Sequence, residues 1–419
     1  MRVAHILRKY VPAEWGGTET ALQRLTEGLA AQGVTSAVYY PDTSAEVVND
    51  PLTATGCELH PYRACVPVWG LPESTRKQML AIGGNILSFD LPRLLMRDRA
   101  LDVIHSHVLG RIGGIAGTVA RRRNLPLVIS IHGGVLDMPA GLRQNLETTT
   151  HHRGLEWGRL FGWWWRARHL LAEADAIVTV NAREAELLRE QYPQQRIVVQ
   201  PHGVNTGLFQ TNHRAAALAA FPAIKDRDVL LIMARVDPVK NQQWVVRQMP
   251  RVIARHPRAL LVLAGACTHA EYGADVQRDI RNLGLEGHVL LTGGLVPGQP
   301  ATVGLMQSAR VGILPSVSET FGLVVLESWA AGAAALASNT TGAKALIRDG
   351  ENGGLFDLAR PDEFHARLDR MLTDQVWHAS LVEAGHRGAA EFDTTALARR
   401  IQLLYAQLCE HKHALRRSA

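Results

Sequence analysis

Two glutamates stand eight residues apart in Pro315-Ser-Val-Ser-Glu319-Thr-Phe-Gly-Leu-Val-Val-Leu-Glu327. The apolar run Val311–Pro315 reads as a strand and 323–331 as a helix, so Glu319 falls in the connecting loop and Glu327 about one turn inside the helix. Phe321-Gly322-Leu323 would present backbone N–H groups at that helix start. Such a loop can hold phosphate by its amides, a sugar hydroxyl by the loop carboxylate and a ribose by the helical one. The plainer reading is a capping Glu319 and an exposed Glu327. Against it, the helix is mostly apolar, which would leave Glu327 partly buried.

A second cluster reads Met233-Ala-Arg-Val-Asp-Pro-Val-Lys-Asn241. A strand ends, Arg235 follows, and Lys240 comes five residues later near a helix start. Two cations there can neutralise a diphosphate, on which negative charge grows as it leaves. The alternative is a surface Arg and Lys with Asp237 as their solvated neighbour. Near the N-terminus, Trp15-Gly16-Gly17-Thr18-Glu19 joins the first strand to a helix. Gly16 and Gly17 would let backbone amides approach an anion, or serve only as a tight turn. No GxGxxG follows a strand, which disfavours a dinucleotide dehydrogenase.

Histidines gather at His105, His107, His132, His151, His152 and His202. Strand alternation puts His105 and His107 on one face, but no Asp, Glu or Cys has partner spacing, so no metal is expected. His132, in His132-Gly133-Gly134 at a strand end, suits contact with substrate, or else a hydrogen-bonded core position. Trp157, Phe161 and Trp163–Trp165 are interleaved with Arg153, Arg159, Arg166 and Arg168. That stretch suits an anionic membrane or a lipid-linked acceptor. Three adjacent tryptophans cannot share one helix face, however, so some belong in the core.

These residues need a scaffold that brings strand ends together. Short apolar runs alternate with amphipathic stretches: Val3–Leu7, Val103–His107, Leu127–Ile131, Ala176–Val180 and Arg196–Gln200 are predicted strands. After an irregular stretch, Val229–Met233, Leu260–Ala264, His288–Thr292, Val311–Pro315 and Ala334–Ser338 resume the pattern. Predicted helices between them, such as 20–31 and 242–254, make each set a parallel sheet with crossovers. The expectation is an α/β chain of two doubly wound, Rossmann-like domains, 1–210 and 211–393, followed by an amphipathic helix over 394–419. In such sheets ligands sit at the carboxyl ends of strands, and the clusters above fall at such ends, which points to a central cleft.

Composition narrows the rest. Of 419 residues, 47% are hydrophobic and 20% charged, which is globular rather than disordered. Net charge is +6; residues 1–200 carry 22 basic against 19 acidic residues and the remainder 23 against 20, an even spread that argues against nucleic acid. Cys57, Cys65, Cys267 and Cys409 are scattered without a CxxC, as in a reduced cytoplasmic protein. No apolar run is long enough to span a membrane, and Met1–Leu7 reads as a strand of the fold rather than a secretory signal.

In order along nearly the whole chain, Gly16-Gly17-Thr18-Glu19, Val103–His107, Ile131-His132-Gly133, Ala174-Asp175-Ala176, Pro201-His-Gly-Val-Asn205, Ala234-Arg235 to Lys240, and Ser318-Glu319 to Glu327 resemble the family-four retaining glycosyltransferases of GT-B fold. The resemblance implies a nucleoside-diphosphate sugar as donor substrate and no cofactor or metal. It implies transfer to a carbohydrate or lipid-linked acceptor, as in surface polysaccharide or glycoconjugate synthesis, by a cytoplasmic protein with peripheral membrane contact. Carried over residue by residue, Arg235 and Lys240 meet the diphosphate and Glu327 the ribose. Glu319 with the Phe321–Leu323 backbone meets the donor sugar and phosphate, Gly17 approaches the diphosphate and His132 lies beside the reacting sugar. Retention then proceeds on the front face, the leaving phosphate taking the acceptor proton, with no enzymic nucleophile.

Three positions depart from the pattern. His202-Gly203-Val204-Asn205 replaces Asn-Gly-Val-Asp, Asn241 follows Lys240 where glycine is common, and Lys344-Ala345 stands where Pro-Glu is frequent. The alternatives are a catalytically silent nucleotide-sugar-binding protein and a GT-B nucleotide-sugar epimerase.

Overall fold

The computed structural model describes residues 1–11, 16–43, 50–84, 86–132 and 156–418. The chain divides into two compact units, one of Met1–Pro12, Thr18–Pro201 and Thr395–Ala419, the other of Ala13–Gly17 and His202–Thr394. Trp15, Gly133, Gly134, His151, His152 and Arg153 lie outside the described residues.

The first unit is built on a seven-stranded sheet of order β3-β2-β1-β4-β5-β6-β7. Its strands are β1 (Arg2–Ile6), β2 (Thr35–Pro41), β3 (Glu58–Tyr62), β4 (Val103–Ser106), β5 (Leu127–Ile131), β6 (Ala176–Thr179) and β7 (Ile197–Val199). All neighbours pair parallel. Helices covering both faces explain why β4 and β5 are buried at every residue and do not alternate apolar with solvated positions; their polar residues, His105, Ser106 and Ser130, are buried too. On one face the helix Thr394–Ser418 lays Ala398, Ile401, Leu404, Tyr405 and Leu408 against Val3, Val103, Val128 and Val178 of four strands.

The second unit repeats the plan with six parallel strands ordered β10-β9-β8-β11-β12-β13. They are β8 (Asp228–Met233), β9 (Ala259–Ala264), β10 (Val289–Gly293), β11 (Ala309–Leu314), β12 (Ala334–Ser338) and β13 (Gly354–Phe356). In both sheets the order reverses beside the first strand, between β1 and β4 and between β8 and β11. That is where a doubly wound sheet leaves room at its strand ends. The helix Leu323–Ala331 is apolar on nearly all sides because the sheet and a neighbouring helix both cover it; its own Trp329 is 1% exposed and packs against Gly385 and Gly388.

Candidate functional site

In the second unit Arg235, Asp237, Lys240 and Glu319 form one polar cluster at the ends of β8 and β11. Asp237 organises the first loop. Its Oδ1 accepts from the amides of Val239 at 2.9 Å and Lys240 at 3.2 Å, and its Oδ2 lies 3.4 Å from the Arg235 guanidinium. This is an Asx-type turn: a short carboxylate satisfies the amides two and three residues on. Asn241, at φ 56°, then enters the helix Gln242–Arg255 from the left-handed region, which asparagine tolerates better than most residues. Its presence where glycine is common therefore keeps the same helix entry. Gln242, fully buried, donates to the Arg235 carbonyl at 2.7 Å and ties the loop to that helix.

The Lys240 ammonium reaches Glu319 at 2.7 Å, with both side chains partly exposed. The two loops also join through their backbones, the Val317 amide donating to the Val239 carbonyl at 2.9 Å. Glu319 and Lys240 were assigned separately from sequence, one to the sugar and one to the diphosphate; the structure brings them together as a pair. With side chains only 23% and 16% exposed, the pair is largely shielded, so Lys240 can leave Glu319 only where other oxygens, such as those of a bound anion, replace the carboxylate.

The loop after Glu319 is held from below. The Gly342 amide donates to the Glu319 carbonyl at 2.8 Å, and a Cβ on Gly342 would lie 2.3 Å from the Phe321 nitrogen, so only glycine lets the two loops approach. Ser338 braces the same turn, donating at 2.6 Å to the carbonyl of Ser316. Phe321 is 4% exposed, with His202 edge-on at 5.2 Å, and anchors the turn. Gly322 adopts φ 90°, the left-handed conformation that swings the chain into the helix starting at Leu323. Among the described residues no side chain caps that start, which leaves it the kind of helix N-terminus that can receive an anion. Glu327 is half-buried and lines a small recess with Leu231, Met233, Met306 and Val324. Lys344 is exposed on the short helix Thr341–Leu346. The His202–Asn205 stretch is a backbone seam: the Val204 amide donates to the Phe392 carbonyl at 2.9 Å, and a Cβ on Gly203 would meet the Thr394 Cα at 2.9 Å.

Gly17, the last residue of the short N-terminal stretch counted with the second unit, opens the helix Gly17–Ala30, and a Cβ there would meet nothing within 4 Å, so the space before the backbone is open; Gly16 precedes it as coil. In the first unit the histidines gather. His132 follows β5. Its Nε2 lies 2.8 Å from His107 Nδ1, whose Nε2 lies 3.0 Å from His5 Nδ1. Beside this row, His105 engages Tyr405 Oη at 2.5 Å and Ser130 Oγ at 2.7 Å. Burial lowers the His5 imidazole to about 3 and that of His132 to about 4, and pushes His105 well below its ordinary value. His5, His105 and His107 bring ring nitrogens within 4.8 Å of one another, a spacing a metal could use. Both nitrogens of His105 and both of His107 are already hydrogen-bonded, so the cluster is built as a hydrogen-bonded network.

Sequence reading missed three parts of this arrangement. Asp237 was noticed only as a neighbour, although Asp-Pro two residues after an arginine is itself a turn signal. His5 stands alone in β1 with no spacing to mark it, and Tyr405 is 300 residues from its partner. The aromatic stretch divides by residue. Trp157, Phe161 and Trp165 pack on the core, while Trp163 and Trp164 on the helix Arg159–Trp164 are 76% and 61% exposed.

Two doubly wound units with these loops define a GT-B glycosyltransferase plan. The first part of the chain, residues 16–203, matches the glycosyl transferase 4-like domain, and residues 215–388 match glycosyl transferases group 1. A D-inositol 3-phosphate glycosyltransferase of Thermobispora bispora is 30% identical over 74% of this chain and 72% of its own length. One of the same description from Frankia alni is 26% identical over 96% and 95%. Among solved structures, Anabaena HepE in complex with UDP-glucose superposes with a TM-score of 0.73 at 15% identity, over 97% of this chain and all of that one. Sucrose-phosphate synthase of Thermosynechococcus elongatus gives 0.70 at 20% identity, over 97% and 98%. The chain belongs to the family-four glycosyltransferases of GT-B fold.

Proposed function

We propose that the protein moves a sugar, with retention at the anomeric carbon, from a nucleoside-diphosphate sugar to a carbohydrate or lipid-linked acceptor, without a metal. The observation that carries the reading is the Lys240–Glu319 pair beside an uncapped helix start, with Arg235 held on the same loop by Asp237. Binding of a diphosphate exchanges the Glu319 contact of Lys240 for phosphate oxygens. Arg235 and the amides at Phe321–Leu323 add donors, and Glu319, released, faces the sugar hydroxyls. Glu327 holds the ribose. Positive charge supplied by the protein stabilises the diphosphate as the glycosidic bond breaks, the role a divalent ion fills elsewhere. The leaving phosphate accepts the acceptor's proton on the same face. Gly16 and Gly17 offer backbone to the diphosphate, and His132 contacts the transferred sugar.

The inositol-phosphate acceptor of the named relatives supports a small polar acceptor as the leading case. The exposed Trp163 and Trp164, with Arg159 and Arg168 exposed beside them, favour a second reading in which the acceptor is lipid-linked and the protein touches an anionic membrane. Among the described residues no helix is long and apolar enough to cross a membrane. The test is donor turnover in excess EDTA. Essentially full activity is expected; complete loss in chelator, restored by Mg²⁺ or Mn²⁺, would contradict the metal-free reading.

A further inference from the structure

The helix Gln242–Arg255 buries one stripe of side chains, Gln242, Val245, Val246, Met249 and Val252, at the spacing of a helix face turned to a core. All but the first are apolar. Gln242 is 0% exposed and carries an amide where the pattern calls for a hydrocarbon. Chemistry fixes how that amide lies: of its two ends only the NH2 can donate, so Nε2 faces the Arg235 carbonyl at 2.7 Å. Oε1, on the other end, is buried and has no hydrogen-bond partner among the described residues. Burying an amide with its acceptor unmet costs stability that methionine or leucine at the same place would not lose. What the glutamine adds over an apolar side chain is the bond to Arg235.

The backbone around Arg235 is held on the β9 side. The Ala234 amide donates to the Ala264 carbonyl and the Val236 amide to the Ala266 carbonyl, each at 2.9 Å, and a Cβ on Gly265 would lie 2.1 Å from the Ala234 carbonyl oxygen. These bonds use the residues before and after Arg235. Its own carbonyl lies outside that ladder and is taken by Gln242. The guanidinium, with its side chain 37% exposed and 3.4 Å from Asp237, therefore extends from a rigid base. We propose that Gln242 is a positioning residue: by holding the Arg235 carbonyl it sets where the guanidinium meets the leaving phosphate. The proposal rests on the role of Arg235 at the diphosphate. A guanidinium matches phosphate oxygens through a planar fork of N–H groups, so a displacement of about 1 Å at its root is felt at the fork.

The experiment is a double-mutant cycle in donor turnover. Gln242→Met fills similar space without the donor. Its thermal unfolding should stay close to that of the wild type, because the bare buried oxygen leaves together with the bond. Its kcat/KM for the sugar donor should fall roughly ten- to a hundredfold. In the Arg235→Ala background the same substitution should change kcat/KM by less than about twofold, since the group it positions is gone. Equal factors in the two backgrounds would mean a general effect on the fold or on Lys240 and would overturn the proposal. If Arg235→Ala is impaired and folded Gln242→Met is not, the proposal alone falls. If Arg235→Ala itself keeps near-normal kcat/KM, the diphosphate reading falls first and the proposal with it. Should Gln242→Met not fold, crystals of the wild type soaked with UDP, GDP and ADP in turn decide. The bond from Gln242 to the Arg235 carbonyl should persist with the guanidinium on phosphate oxygens; a carbonyl turned away from Gln242 in that complex overturns the proposal.

Discussion

The two units share one sheet plan and arm their strand ends in opposite ways. The first places imidazoles at the ends of β1, β4 and β5, with His5, His105 and His107 buried, His132 half-buried, and His5, His107 and His132 bonded in a row. The second places guanidinium, ammonium and carboxylates on half-exposed loops after β8 and β11. A buried hydrogen-bonded network is rigid; partly exposed charged groups on loops can change partners when a ligand supplies new ones. The contrast separates a part that orients from a part that trades charges with a ligand.

Acid should expose the difference most strongly. Folding lowers the proton affinities of His5, His105 and His132 through burial. Their contribution to stability is complete above the unfolded value near 6.5 and is lost as pH falls from there toward the folded values, about 4 for His132 and about 3 for His5. Each such group costs up to about 1.4 kcal/mol per pH unit within that window. Hydrogen exchange, corrected for intrinsic rates, should show β1, β4 and β5 losing protection between pH 7 and 5 faster than β8 and β11. Equal losses would remove the contrast.

Arg235→Ala or Lys240→Ala should lower kcat/KM about 10²–10³-fold, since each removes charge that acts as the phosphate leaves. Circular dichroism should be unchanged, because both side chains lie on half-exposed loops. The glutamates sharpen the picture at about 1–3 kcal/mol. Glu327→Gln should weaken bare diphosphate and intact donor by similar factors. Glu319→Gln should not weaken the bare diphosphate, because the free protein uses Glu319 to hold Lys240. Calorimetric titration of both ligands into both variants gives the four affinities. Smallest of all, Arg168→Ala with Trp163→Ala should reduce binding to anionic vesicles by about 1 kcal/mol for the basic residue. Equal recovery on neutral and anionic vesicles would leave the exposed tryptophans without a lipid role.

Much of this was legible because the signals were local. Strand runs such as Leu127–Ile131 and Val229–Met233 reappear within a residue or so of the observed β5 and β8, since burial on both faces forces a mostly apolar sequence. The Glu319–Glu327 spacing told loop from helix correctly because Gly322 marks the helix start. What stayed hidden was tertiary. The lysine–glutamate pair joins loops 79 residues apart, and the support of Gly342 under Phe321 depends on a missing Cβ that no periodicity reveals. The histidines were visible as a cluster, but their order in space needed β1 beside β4 beside β5.

The central claim is that the loops after β8 and β11 bind the donor through its diphosphate. Thermal unfolding should be followed with UDP-, GDP- and ADP-sugars, for the wild-type protein and for Arg235→Ala with Lys240→Ala combined. One base should stabilise the wild type by about 2.7 kcal/mol at one hundred times its Kd, and the double variant should lose that gain at the same concentration. A shift of equal size in both proteins, or none with any nucleotide sugar, would contradict it.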